Sequence, residues 1–330
     1  MLAIAYGTRP EYIKVKPILD ALDGRVPCRA ISTGQHTDLL TDSVEGVQIK
    51  ITDGEDRLNS IIASILSKEN EHALDGVKHL VVQGDTTSAL AMAIAAFNKG
   101  IKIYHLEAGL RTHDKLNPYP EEANRQLISR LADVHFCPTI IDAQNLEKEG
   151  IKDGIYVTGN TVLDGLSDEG TEYGDTVLIT LHRRENHARM AEWFTELDAV
   201  ARIHSDLTFC LPIHPNPNVK KHESLLTSVK VVDPLNREEF LEVLKKSRFV
   251  ITDSGGVQEE ASFFKKKCIV CRKGTERIAG LGTFSILCDK PSALLPLVLF
   301  YKNDFELEGE CPYGDGHATE RVIQVLYASM

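Results

Sequence analysis

Short apolar runs recur along the chain, each closed by a polar or glycine-containing cluster, with helix signals between them. In the first half the runs are Leu2–Tyr6, Cys28–Thr33, His79–Gln83, Ile101–Leu106, Val134–Cys137 and Ile155–Val157. They are too short for helices and nearly continuous in apolar residues, the pattern of strands buried on both faces. Between them, helices are expected from Pro10 to about Leu22, from Ile61 to Leu66, after Thr87, from Glu121 to Leu131 and from Ile141 to Glu149. Pro10 suits a first helical turn. The small residues from Ala89 onward let their helix lie close on a sheet. The stretch Asp53 to Leu58 is polar and weakly patterned.

A second series opens after the Asp/Gly-rich stretch Ser167 to Asp175, with runs at Thr176–Leu181, Leu207–Pro212, Val229–Val232, Phe249–Ile251 and Cys268–Cys271. Strand–helix alternation of this kind predicts parallel sheets with helices on both faces. The expected fold class is therefore α/β, with two Rossmann-like, doubly wound parallel-sheet domains facing each other across a cleft. The boundaries read as 1–168 for the first domain and 169–315 for the second, with the hinge near 167–175. The terminal helix, within 316–330, is expected to pack back on the first domain.

In such sheets ligands bind beyond the carboxyl ends of the strands. The stretch RFVITDSGGVQEEASFF reads as a strand, a tight turn and a helix. Ser254 is a good N-cap, Gly255 and Gly256 let the backbone fold tightly, and the free amides of the helix start suit a phosphate. Glu260, one turn in, is within reach of a ribose hydroxyl pair. Other strand ends carry Asp85, Glu107, Glu121, His182, Arg9, Lys14, Arg125, Arg183 and Arg277. Carboxylates gathered at one place point to proton transfer between groups of separated pKa. Arginine and histidine beside a diphosphate point to stabilisation of a leaving group.

Composition narrows the classes. The 330 residues are 42% hydrophobic and 26% charged, with a net charge of −11. That balance excludes a basic footprint for nucleic acid and argues against binding to anionic membranes. Any phosphate must be held by local arginines and helix ends. The Cys count is 7, odd and dispersed in apolar runs, which fits reduced thiols and a cytoplasmic protein. Cys268 and Cys271 have metal or redox spacing but no second pair nearby, so a buried strand is expected there. The start MLAIAYG has no basic region or cleavage site, giving the expectation of no signal peptide. The longest weakly polar run is too short to span a bilayer. GTRPEY stands where a dinucleotide fingerprint would read GxGxxG, and P-loop, GxSxG and HExxH motifs are missing. Neither a metal nor a cofactor is expected.

The motifs GTRPEYIKVKP, TGQH, QGDTTSA, HLEAGLRT, PYPEEANRQL, TGNTVLD, HRREN, HPNPNV, TDSGGVQEEA and PYGDG occur in this order from Gly7 to about Arg321. Together they closely resemble the non-hydrolysing UDP-N-acetylglucosamine 2-epimerases. The resemblance implies a GT-B-like pair of domains and a homodimer. It also implies interconversion of UDP-N-acetylglucosamine and UDP-N-acetylmannosamine without a redox cofactor. By motif position, Asp85, Glu107 and Glu121 resemble the family's proton-transfer carboxylates and His182 its cleft histidine. Arg9, Lys14, His36, Arg125, His214, Ser254, Gly255, Gly256, Glu260 and Arg277 resemble its substrate-binding residues. The chain departs from the family after Arg277, where Ile278-Ala279 stands in place of Pro-Glu, and this loop bears on the sugar or base accepted. Gln35 and His36 match residues that hold a second, activating substrate molecule in bacterial members, whereas Asp53–Leu58 has no clear match. Hydrolysing epimerases rank second, since they show Gly-Gly-Asp where this chain has Glu107-Ala108-Gly109. A GT-B glycosyltransferase and a non-catalytic nucleotide-sugar binder are the remaining readings.

Overall fold

The structure is a computed structural model and describes residues 1–33, 46–52 and 54–330. It divides into two compact units, Met1–Gly165 with Gly314–Met330, and Leu166–Tyr313. Unit one runs β1 (Leu2–Tyr6), α1 (Arg9–Leu22), β2 (Cys28–Ser32), β3 (Gly46–Gln48), α2 (Arg57–Ile65), β4 (His79–Gln83), α3 (Thr87–Asn98), β5 (Lys102–Leu106), α4 (Glu121–Leu131), β6 (Val134–Cys137), α5 (Ile140–Lys148) and β7 (Ile155–Val157). Unit two runs β8 (Thr176–Thr180), α6 (Met190–Ile203), β9 (Thr208–Pro212), α7 (Pro217–Lys220), β10 (Lys230–Val232), α8 (Arg237–Lys245), β11 (Ser247–Thr252), α9 (Gly255–Phe263), β12 (Cys268–Val270), β13 (Ser285–Leu287) and α10 (Leu294–Asn303). The last helix, α11 (Ala318–Ser329), returns to unit one.

Among the described residues both sheets are parallel, in the orders β3-β2-β1-β4-β5-β6-β7 and β10-β9-β8-β11-β12-β13. Each is the doubly wound order, reversing once, between β1 and β4 in unit one and between β8 and β11 in unit two. Alternation within a buried strand sends neighbouring residues to opposite faces. Leu2, Ile4 and Tyr6 join Val15 and Ile18 of α1 and Val322 and Leu326 of α11, while Ala3 and Ala5 pack with the alanines of α3. In unit two Val177, Ile179, Phe249 and Ile251 face α6 and α10, and Leu178 and Val250 face Leu244, Ala261 and Phe264.

Helix α2 begins at Arg57, four residues before the position read from its apolar pattern, because Asp56 accepts from the amides of Leu58 and Asn59. Strands β3 and β13 are additions to the sequence reading. Each spans 3 residues, and β3 is partly exposed, so neither carries a run long enough to read. Cys268 and Cys271 lie fully buried in and just after β12, and all the cysteines are free. No helix among the described residues is long and apolar enough to cross a membrane.

Candidate functional site

In unit one the polar groups collect at the carboxyl ends of β1, β4 and β5. Thr8 caps α1, and Glu11 three residues later closes a capping box. Its carboxylate accepts from the amides of Gly7 at 2.6 Å and Thr8 at 2.8 Å, and from the Thr86 hydroxyl at 2.7 Å. Glu11 thereby staples the turn after β1 to the turn after β4, across the point where strand order reverses. Burial pushes its carboxyl above the usual range, and the nearby Asp85 charge acts in the same direction against its hydrogen bonds.

Asp85 sits on that second turn, behind Gly84, which adopts a φ of 72°. Helix α4 delivers its partners: Arg125 donates from Nε at 2.9 Å and from Nη2 at 2.5 Å, both to Oδ2, and Asn124 donates to the Asp85 carbonyl at 2.8 Å. Among the described residues no donor reaches Oδ1, and the Asp85 side chain is 26% exposed. Beneath the turn, the buried His105 imidazole meets the Gly84 carbonyl at 2.7 Å.

Glu107 follows β5 with a φ of 65°, a left-handed backbone that costs a non-glycine residue about 1–2 kcal/mol. Its carboxylate is held from three elements, by Lys14 of α1 at 2.5 Å, Gln83 of β4 at 2.6 Å and Asn160 at 3.0 Å. A Cβ on Gly84 would lie 3.6 Å from Glu107 Oε2, so the two acidic turns abut. Gly109 completes the turn after β5 against α5, where a Cβ would stand 2.2 Å from the Asp142 carbonyl.

Two neighbours in sequence separate here. Glu121 is half-buried at the first position of α4. Glu122 is the fully buried one, accepting from the amides of Thr112 and His113, from Gln126 and from Arg125. It holds the 112–113 loop and orients Arg125. Arg9 is exposed at the start of α1. His36 and its neighbour Gln35 lie outside the described residues.

In unit two the chemistry collects at the ends of β8, β9 and β11. Asp253, with no exposed surface, accepts from the amides of His182 and Arg183 and from Asn186. Asn186 also donates to the Cys271 carbonyl and accepts from the Trp193 indole at 3.2 Å. The His182 ring stacks on His214, centroids 4.9 Å apart and planes 18° from parallel. Burial pulls the His182 pKa down, Asp253 opposes this, and His214 adds to the depression. His214 is likewise lowered, chiefly by burial.

Helix α9 starts at Gly255, with Ser254 at the N-cap position as expected. Its hydroxyl, however, makes no capping bond, so the first amides are not taken by the side chain that usually satisfies them. The Ser254 amide itself is fixed by the Thr252 hydroxyl at 3.0 Å. Glu260, expected at a ribose, is buried and accepts from Arg237 of α8 at 2.5 Å.

Arg277 is also nearly buried. Its Nε donates to Glu259 at 3.2 Å and its Nη1 to Glu276, and Glu276 in turn accepts from Arg272 at 3.0 Å. Arg272 reaches on to Glu185 at 2.6 Å. A chain of alternating charge thus ties the HRREN loop to the TER loop and the start of α9. Tyr313, of the PYGDG motif, donates its hydroxyl proton to the Arg277 carbonyl at 2.9 Å and accepts from the Gly280 amide at 3.1 Å.

Sequence reasoning missed Glu11, Glu122, Asn160, Asp253, Arg237, Arg272 and Glu276. A signal existed for two of them. Glu11 stands three residues after Thr8, the spacing of a capping box, and Asp253 is the first acidic residue after an apolar strand. Asn160 and Arg237 depend on contacts between elements distant in sequence, and Glu122, Arg272 and Glu276 on which side of their own segment is buried.

A family model described as UDP-N-acetylglucosamine 2-epimerase matches residues 20–327. The chain is 38% identical to the UDP-N-acetylglucosamine 2-epimerase of Campylobacter jejuni, covering 98% of this chain and 97% of that protein. It is 34% identical to the protein of the same name from Bacillus subtilis, covering 97% and 93%. Among solved structures, the UDP-GlcNAc 2-epimerase from Neisseria meningitidis bound to UDP-GlcNAc superposes with a TM-score of 0.87 at 29% identity, covering 99% of each chain. The Methanocaldococcus jannaschii UDP-GlcNAc 2-epimerase in complex with UDP-GlcNAc and UDP gives 0.84 at 31% identity, again over 99% of each. A kitacinnamycin glycotransferase, at 12% identity and a TM-score of 0.60, shares the GT-B-like fold alone.

Proposed function

The chain belongs to the UDP-N-acetylglucosamine 2-epimerase family, and we propose that it interconverts UDP-N-acetylglucosamine and UDP-N-acetylmannosamine by the non-hydrolysing route. The proton on sugar carbon 2 is not adjacent to a carbonyl, so its direct removal is very unfavourable. Departure of UDP from carbon 1 gives oxocarbenium character and acidifies that proton. Anti elimination then yields 2-acetamidoglucal and UDP, and re-addition with proton delivery to the opposite face gives the epimer. Two faces require two positioned proton carriers.

The observation that carries this reading is the abutting pair Asp85 and Glu107. Both are held at strand ends, each paired with a cation, yet they differ in how much of the carboxylate is occupied. Glu107 is gripped by Lys14, Gln83 and Asn160, whereas Asp85 keeps Oδ1 clear of described donors. Unequal environments assign unequal roles to two carboxylates. In this reading Asp85, Glu107 and Glu121 handle protons, and His182 with Arg9 and the amides after Ser254 stabilises the departing diphosphate. Glu260 takes the ribose, and Lys14, Arg125, His214 and Arg277 line or support the sugar and phosphate positions. Glucal and UDP must stay together and dry until re-addition, or the intermediate is lost. Family membership also supports a homodimer, which light scattering of the purified protein checks.

An NMR time course of UDP-N-acetylglucosamine with the protein in D₂O, without added NAD or metal, tests the function. Deuterium should enter at carbon 2 while UDP-N-acetylmannosamine accumulates to equilibrium. Stoichiometric free N-acetylmannosamine and UDP would establish the hydrolysing reaction instead, and transfer to an added acceptor with no epimer would establish a glycosyltransferase. Absence of exchange on any UDP-N-acetylhexosamine would overturn the epimerase reading.

A further inference from the structure

We infer that Asp253 is a positioning residue for the reaction proposed above, holding the His182 imidazole in place and favouring its cationic form while the diphosphate departs. The inference rests on that reading for the diphosphate and on geometry for the rest. Asp253 directly follows β11 beside the end of β8, where strand order reverses, and has no exposed surface. A carboxylate is tolerated in such a place only when donors surround it. Here the His182 amide lies 3.2 and 3.0 Å from its two oxygens, the Arg183 amide 2.9 Å and the Asn186 side-chain amide 3.0 Å from Oδ2. The donors from the β8 loop therefore converge on a single carboxylate at the end of β11.

His182 Nδ1 stands 3.8 Å from Asp253 Oδ1, beyond hydrogen-bond length but close enough for strong charge attraction. The groups that bear on the ring electrostatically are Asp253 at the end of β11, His214 beyond β9, and Arg183 and His187 from its own loop. His187 also contacts the His182 carbonyl at 2.9 Å, within the same loop. Of these four groups Asp253 is the anion, and the other three disfavour a cationic ring, as burial does. A departing diphosphate gains negative charge at its bridging oxygen, so a cationic donor there is worth more in the transition state than a neutral one. Asp253 supplies the bias toward that state without reaching the substrate itself.

The full-length Asp253→Asn protein tests this, since Asn keeps the size and one acceptor oxygen while losing the charge. The expected result is a fall in kcat for carbon 2 exchange of about tenfold or more, with KM and UDP affinity changed little. In the pH–rate profile the limb at which activity falls with rising pH should move to lower pH, because the imidazolium loses its anion. NMR titration of His182, which needs no substrate, should show the same downward movement. Asn186→Ala supplies the contrast: it loosens the loop but keeps the charge, so kcat should fall with the His182 titration in place. If Asp253→Asn does not fold, the ¹⁵N spectrum of His182 in the wild-type protein decides, the neutral ring being expected to carry its proton on Nδ1, toward Asp253.

A His182 titration unmoved by Asp253→Asn, or a neutral Nε2–H ring in the wild type, would overturn the inference. Failure of the wild-type protein to exchange carbon 2 would strike the epimerase reading instead, and leave the His182 titration standing by itself.

Discussion

The guanidinium of Arg277 lies against the α-carbon of Gly255, so closely that a Cβ there would stand 2.8 Å from Cζ and 2.9 Å from Nη1. The glycine is required by a side chain packed from another loop. Arg277 cannot give way easily, because Glu259 and Glu276 hold it from both sides. Gly255→Ala should therefore push the TER loop off the start of α9, costing about 1–3 kcal/mol of stability. UDP binding, followed by calorimetry, should weaken in parallel. An alanine protein with unchanged melting temperature and UDP affinity would show that the contact is slack.

Asp85→Asn should lower kcat by about a hundredfold or more while leaving UDP affinity within a small factor. The amide keeps the shape and one oxygen for Arg125 but cannot accept a proton at neutral pH. Steady-state kinetics and UDP calorimetry on the same preparation separate the two effects. Equal losses of turnover and binding would mean that Asp85 serves the nucleotide rather than the proton.

Glu260→Ala is expected to act in the opposite sense, weakening UDP binding by about ten- to a hundredfold, the worth of a hydrogen bond to a charged group. Its effect on kcat at saturating substrate should be smaller. The variant also removes a partner of Arg237, so the melting temperature must be measured alongside. A normal UDP affinity in a folded Glu260→Ala protein would confine the residue to supporting α8.

Two buried histidines predict a pH dependence of stability. His105 and His135 face each other in register on β5 and β6, and burial pulls both down to about 4. In the unfolded chain each takes up a proton near pH 6.5. Between those values the unfolded state binds more protons, so stability falls as the pH drops from about 6.5 toward 4. Above that window these groups contribute no slope. For fully buried His105 the difference is on the order of 3 kcal/mol. Urea midpoints from pH 7.5 to 4 measure it, and His135→Asn should reduce the slope by close to one proton. A slope untouched by that change would place the acid sensitivity elsewhere.

The strand pattern, the two parallel sheets and the positions of most polar clusters were legible in the sequence. The physical reason is local: a strand buried on both faces must be a short apolar run, and its carboxyl end must be where polar residues begin. Asp85, Glu107, His182 and Ser254 declared themselves by standing at those ends. Short β3 and β13 left no such trace, and the start of α2 was set by a single aspartate cap.

What only the tertiary structure decided is how each charge is used. Glu121 and Glu122 are alike in sequence, and only the packing of α4 beside the 112–113 loop buries the second and leaves the first half-buried. Arg277 reads as a phosphate ligand from its motif, yet carboxylates more than 15 residues apart in the chain converge to hold it beside Gly255. Asp253 stands at a strand end like other polar residues, but only folding brings the His182 and Arg183 amides onto it from the loop after β8. Periodicity records which face a residue occupies, but donors such as those Asp253 gathers come from an element about 70 residues away in the chain, and no local pattern encodes that meeting.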